Sequence, residues 1–253
     1  VNCLIEALVP EISIRSLAPQ AALRRFAMGS SAGKWLGYVD KYVIFPRVLR
    51  AELRRREAVV HYSDQGDSLY TRGHAPRRSL LTCHDVLAIR SALGEIPQMR
   101  TRPSGRVLQS QIQASLRRFP RIVCVSRSTQ AQLARVTGRS PDEFTVISNG
   151  VDPRFQPADP AQARRMISKF IPDAPYVLHV GGNQWYKNRA GVLRIFREAR
   201  PALPAGAKLV MIGKPLSPEL VRTVSELELQ DSVHCLSNCS DDELQAFYTH
   251  ARL

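Results

Sequence analysis

The sequence has no apolar run near the roughly 18 residues that a membrane-spanning helix needs, which excludes such a helix within these 253 residues. It has no C-x-x-C pair. The five cysteines stand at 3, 83, 124, 235 and 239, an odd number without zinc or redox spacing. Cys83 and Cys124 lie in apolar, strand-like runs and read as small buried hydrophobes. That usage suits a reduced, cytosolic chain. Aromatics are scarce, at 7%. No RRM, KH or helix-turn-helix pattern interleaves them with arginine, so nucleic acid is not expected as a partner. No acidic cluster is present to hold a metal. No signal peptide precedes Asn238-Cys239-Ser240, so this match to the glycosylation pattern reads as chance.

What is present is an ordinary globular composition, 44% hydrophobic and 23% charged, with an unusual charge distribution. Residues 1–150 carry 23 Lys/Arg against 11 Asp/Glu, a net of +12; residues 151–253 carry 13 against 11, a net of +2. A basic half beside a near-neutral half suggests two domains with different partners, although an Arg-rich solvated surface explains the same numbers. The chain starts at Val1 without methionine and stops at Leu253 inside an apolar segment.

Residues 1–9 place Leu4, Ile5, Leu8 and Val9 on one helical face, and residues 40–57 read as a longer helix ending in Arg54, Arg55 and Arg56. Strand and helix then alternate. Strands are expected at Ala58–Tyr62, Ser79–Cys83, Arg121–Val125 and Phe144–Ile147, with helices at 104–119 and 126–136, the latter capped by Ser126. A proline-rich linker zone covers 152–175, with a short helix near 160–170. Strands follow at Tyr176–Val180, Lys208–Ile212 and Val233–Leu236, and helices at 188–200, 217–228 and 241–251. The expected fold is therefore α/β, with two Rossmann-like domains, each a parallel sheet covered by helices. The boundary is expected between residues 157 and 158.

In open α/β sheets, ligands sit beyond the carboxyl ends of strands. Five places qualify: Asp64, His84-Asp85, Ser126-Arg127, Gly181-Gly182-Asn183 with Lys187, and Gly213-Lys214. In the fourth, a strand runs into two glycines and a polar loop, with Lys187-Asn188 at a helix start. Glycine admits close backbone approach, the helix start favours an anion, and Lys187 offers a point charge suited to a diphosphate. A strand–loop–helix corner with a solvated lysine explains this one segment equally well. Gly29-Ser-Ser-Ala-Gly33-Lys34 is one residue short of a P-loop, and Trp35 stands where Ser/Thr is required. His84-Asp85 lacks the further His/Asp set of a phosphohydrolase metal site. His61 and His74 read as structural or exposed.

Residues 177–199 (VLHVGGNQWYKNRAGVLRIFREA) resemble the donor-diphosphate loop of GT-B glycosyltransferases of the retaining family 4. Other segments resemble the same family in the right order: LLTCHDV (80–86), RIVCVSRSTQAQ (121–132), FTVISNGVD (144–152), LVMIG (209–213) and DDELQAFYTHARL (241–253). Together they span nearly all of residues 58–253.

The resemblance implies an acceptor-side domain over 1–157, lacking its first strand, and a truncated nucleotide-sugar domain over 158–253. It implies a UDP-, GDP- or ADP-sugar donor held by Gly181, Gly182, Asn183, Lys187, Asn188 and Gly213. His84 would be the catalytic residue beside the transferred sugar, with Asp85, Ser126, Arg127 and Asn149 along the same cleft. It implies transfer of a hexose with retention to a glycan or lipid-linked acceptor, with no cofactor and no metal. Where the family often carries arginine after the first loop glycine, this chain has Gly182, so diphosphate binding leans on Lys187, helped by Arg189. The family's E-x7-E motif would follow Leu253, so these residues alone are expected to turn over little. The basic half suggests peripheral contact with an anionic membrane at its cytoplasmic face. The rival readings are a non-catalytic GT-B-like binding module and a basic nucleic-acid-binding protein.

Overall fold

The structure, a computed structural model, describes residues 13–27, 31–54, 58–71, 78–153, 155–171 and 173–252. The expected 1–9 helix and His74 lie outside these residues. The chain forms two compact units, Val1–Asn149 and Gly150–Leu253. The break falls earlier than the 157/158 boundary because the proline-rich segment belongs to the second unit. There the Gln245 side-chain amide donates to Gln156 O, and Ala158 N donates to the Thr249 hydroxyl.

In the first unit, four parallel strands stand in chain order: β1 (Val60–Tyr62), β2 (Ser79–Cys83), β3 (Ile122–Cys124) and β4 (Phe144–Val146). Their register aligns Leu81 with Ile122 and Phe144, and Cys83 with Cys124 and Val146. The polar residues after β2, β3 and β4 therefore leave the sheet at one level. Leu81, Cys83, Ile122, Cys124 and Phe144 join Leu116, Phe119 and Leu133 in the core, so the strand cysteines are buried and unbridged.

The helix expected over 40–57 begins earlier. It runs as α1 (Ser31–Val39), a π segment (Asp40–Ile44) and α2 (Phe45–Arg54). Gly33 and Gly37 lower the helix propensity of its first turns, which hides them from a pattern reading. The buried Asp40 carboxylate accepts from Leu23 N at 2.8 Å and Arg24 N at 2.9 Å, anchoring the segment before the helix. Arg55 and Arg56 lie outside the described residues. A short α3 (Leu87–Ala92) and a 3-10 segment (Gln65–Thr71) were not anticipated; α4 (Pro103–Leu116) and α5 (Arg127–Thr137) follow the expected pattern.

The second unit has three parallel strands in order, β5 (Tyr176–Val180), β6 (Lys208–Ile212) and β7 (Val233–Leu236). Its helices are α6 (Pro160–Ile167), α7 (Arg189–Ala199), α8 (Pro218–Glu226) and α9 (Asp241–His250). Strand β6 shows why the sheet is covered on both sides. Leu209 and Met211 pack with Leu193, Phe196, Leu220 and Val224 from α7 and α8. Val210 and Ile212 point the other way, to Ile167, Tyr176 and Phe247. Side chains alternate along a strand, so a run apolar at both parities is buried on both faces. Full burial of Leu209, Val210 and Met211, each 0% exposed, contributes about 1.5–3 kcal/mol apiece. The Tyr176 hydroxyl donates to Phe247 O at 2.7 Å, and burial pushes its pKa up to about 12.

Candidate functional site

The first unit gathers four of its expected site positions at the carboxyl ends of β2 and β3. His84 follows β2 and is held from several directions. Its Nε2 donates to Ser63 O at 3.0 Å, its backbone N–H donates to Gln65 Oε1 at 3.2 Å, and its carbonyl accepts from Thr129 Oγ1 at 3.2 Å. A carbonyl only accepts, so the ring proton sits on Nε2. Nδ1 is left as an acceptor in the neutral ring, without a partner among the described residues, on an exposed side chain. Ser126 caps α5, accepting from Thr129 N at 3.0 Å, and its hydroxyl lies 3.0 Å from Thr129 Oγ1. Thr129 thus couples the Ser126 turn to His84. Asp85 accepts from Leu87 N at 2.9 Å and stabilises the start of α3. Arg127 is exposed at the first turn of α5, and Asn149 is exposed beyond β4.

Pattern reading did not single out Ser63 and Gln65, because neither belongs to a motif; the fold brings their acceptors to His84. It also passed over Asp67. Burial raises the Asp67 pKa against the opposing pull of Lys41 and a hydrogen bond with Tyr70. The His61 side chain has Nε2 2.8 Å from Thr82 Oγ1, and partial burial, then His84, lowers its pKa.

In the second unit, two loops form the cradle. Gly181 N donates to Ile212 O, and Gly213 N to Leu236 O, each at 2.9 Å, so the strands end in step. Gly213 has φ +146, and a Cβ there would lie 2.8 Å from the Gly181 carbonyl carbon and closer still to its oxygen. Only glycine fits, and the loops after β5 and β6 touch through backbone. The Asn183 side-chain amide donates to Pro215 O at 2.8 Å, tying the same loops again. A Cβ on Gly181 would meet Lys187 Cδ at 3.4 Å and His179 Cε1 at 3.2 Å, so the lysine stem lies across this glycine. Gly182 is less demanding; the nearest atoms a Cβ there would meet are the end of the Gln184 side chain.

Lys187 ends a 3-10 turn, is exposed, and has Nζ 5.6 Å from the Tyr186 ring centroid. Asn188 takes the left-handed conformation, φ 48, which asparagine tolerates, and its side chain accepts from Gly191 N at 3.2 Å to cap α7. The exposed cations Lys187 and Lys214 and the start of α7 make the cradle suitable for an anion. His179 Nε2 donates to Lys187 O at 3.3 Å. Burial lowers the His179 pKa, opposed by its hydrogen bond to Lys187 O and reinforced by the Arg189 charge.

Arg189 differs from its expected role as a helper at the diphosphate. It is 3% exposed, and both terminal nitrogens are engaged inside the protein, with Asn183 Oδ1, Lys214 O and Cys235 Sγ. A residue at a helix start reads as solvated in sequence; here the turn at Asn188 rotates it inward. Among the described residues, no group of three or more His, Cys, Asp or Glu is placed to hold a metal ion. No helix there is long and apolar enough to cross a membrane.

Each unit is a parallel sheet with polar loops at its carboxyl edge, the architecture of GT-B glycosyltransferases. Over residues 17–155, more than half of its length, the chain matches the family described as Glycosyltransferase Family 4, and it belongs to that family. Similar solved structures include HepE of Anabaena in complex with UDP and glucose, 14% identical with a TM-score of 0.59, covering 98% of this chain and 61% of that one. A UDP-forming trehalose-phosphate synthase of Burkholderia xenovorans is 13% identical, with a TM-score of 0.58, and covers 88% of this chain and 57% of that one. WaaG, a glycosyltransferase involved in lipopolysaccharide biosynthesis, is 15% identical, with a TM-score of 0.57, and covers 89% and 58% respectively. The chain spans less than two thirds of each of these proteins. No curated protein matches the sequence.

Proposed function

We propose that the whole protein is a glycosyltransferase that moves a hexose from a UDP-, GDP- or ADP-sugar to a glycan or lipid-linked acceptor with retention of configuration. The observation that carries this reading is the backbone contact between Gly213 and Gly181, which fixes a cationic cradle at the sheet edge. Similarity to HepE in complex with UDP and glucose favours a nucleotide-sugar donor. In this reading the donor diphosphate lies along Gly181, Gly182 and Asn183, beside Gly213 and the Asn188-capped helix start, with Lys187 against its charge. The bond from the anomeric carbon to the diphosphate breaks, a bond to the acceptor oxygen forms on the same face, and the leaving diphosphate takes the acceptor proton. Lys187 stabilises the negative charge that develops on the leaving group. In this reading His84, held through Nε2 by Ser63 O, meets a sugar hydroxyl through Nδ1. Asp85, Ser126, Arg127 and Asn149 shape its surroundings. The chemistry calls for no cofactor and no metal.

The test is calorimetric titration with UDP-, GDP- and ADP-sugars. Lys187→Ala is expected to weaken binding of the preferred donor about 10-fold or more, as loss of a charge-assisted contact does. Unchanged affinity would place the diphosphate elsewhere, and a product of inverted anomeric configuration would remove the retention claim.

An anionic membrane, at its cytoplasmic face, is proposed as a peripheral partner of the first unit. Phe26 and Trp35 are 74% and 64% exposed, and the Arg25 guanidinium lies 4.7 Å from the Phe26 ring, an aromatic–cationic pairing suited to an interface. Co-sedimentation with vesicles should require anionic lipid; equal binding to neutral vesicles would count against it.

A further inference from the structure

Arg189 presents an unusual balance. Its guanidinium is buried, no carboxylate among the described residues pairs with it, and every acceptor it uses is neutral. Nη1 donates to Asn183 Oδ1 and, at 2.7 Å, to Lys214 O. Nη2 lies 3.5 Å from Cys235 Sγ, and Nε is buried without a partner. Taking a charge out of water without an opposite charge is costly. The local fold gains geometry from it. Asn183 is held at both ends of its amide, by Pro215 O and by Arg189. The loop after β5, the loop after β6 and strand β7 all meet at one planar fork. A lysine is a point donor and cannot span these acceptors.

We propose that Arg189 is the positioning residue of the nucleotide-sugar site, acting through Asn183 and Lys214 O without touching the donor. This rests on the donor-site reading given above. Its role is to hold residues 181–188 in a single conformation before the donor arrives, so that the donor does not bear the cost of ordering the loop. Asn183, exposed on its outer side, is the link between the buried cation and the ligand-facing backbone.

The experiment combines binding and hydrogen exchange on the full chain. Arg189→Lys and Asn183→Ala are each titrated with UDP-, GDP- and ADP-sugars, and so is the double variant. Each single change is expected to weaken the preferred donor about 10-fold, the scale of one charged hydrogen bond, and the double variant is expected to weaken it no further. Amide exchange over residues 182–187 should quicken in both single variants without donor present. In Lys187→Ala it should stay unchanged while affinity falls, because that side chain contacts the ligand. Asn183→Ala alters an exposed side chain and keeps the test valid if Arg189→Lys does not fold. Additive losses, or exchange that stays slow in both variants, would overturn the positioning role. Absence of nucleotide-sugar binding by the unmodified whole protein would instead refute the donor-site reading, while exchange would still report whether the clamp exists.

Discussion

Replacing Gly213 with alanine tests whether the two cradle loops are joined by backbone contact. At φ +146 an L-residue is strained, which costs on the order of 1–3 kcal/mol. The new methyl would also overlap the Gly181 carbonyl, whose carbon would be 2.8 Å away, and backbone cannot rotate aside as a side chain end can. Relief of such overpacking adds about 1–3 kcal/mol, for a total of about 2–6 kcal/mol. Gly206 is the control in the same unit. It also has positive φ, +76, but a Cβ there meets nothing within 4 Å, so Gly206→Ala should cost only about 1–2 kcal/mol. Urea unfolding of both variants separates the two terms. A loss near the middle of the Gly213 range moves the midpoint by about 1 M or more, and it is a large share of the roughly 5–15 kcal/mol that holds a domain folded. Nucleotide-sugar affinity should fall in Gly213→Ala even where the protein stays folded, because the displaced atom is Gly181 O. Equal losses for the two variants, within about 0.5 kcal/mol, would refute the claim of loop contact.

Two further outcomes follow from the same geometry. Burial lowers the pKa of His61, His179 and His234 below the ordinary 6.5. The unfolded chain therefore binds more protons than the folded one just below pH 6.5, and stability is lost as pH falls through that window. Thermal melting should drop between pH 8 and pH 5.5. It should drop less in His179→Gln, a comparison that cancels the opposite contribution of Asp67, whose pKa is raised; an identical slope would exclude His179 as a source. Gly182→Arg restores the arginine that the family often carries. The nearest atoms to a Cβ at this position belong to the end of the Gln184 side chain, so the variant is expected to fold and to bind the preferred donor about 10-fold more tightly; weaker binding would mean that the diphosphate does not run past this position.

The parallel strands were readable because their residues are apolar at both parities, as in β6, and because turn chemistry brackets them. Ser126, Ser217 and Ser240 cap the helices they precede, the last in a capping box with Glu243. The helix at Ser31 was hidden by its glycines, and α3 by its length of six residues, too short for a period to emerge.

The candidate site was legible in a different way. Order along the strands locates His84, Ser126 and the 181–188 loop, since ligands gather where parallel strands end. What a linear reading cannot supply is which polar groups those residues are already using. Arg189 and Lys187 are two positions apart, both cationic, and indistinguishable by type. The left-handed turn at Asn188 sends one out to solvent and the other into a pocket of neutral acceptors contributed by residues 183, 214 and 235. The same holds for His84, whose tautomer is set by the carbonyl of Ser63, a residue on a different strand end. Roles at this sheet edge therefore divide by hydrogen-bond partner more than by residue type. Lys187 stays exposed at the edge of the cradle, while Arg189 is engaged by Asn183, Lys214 O and Cys235 Sγ.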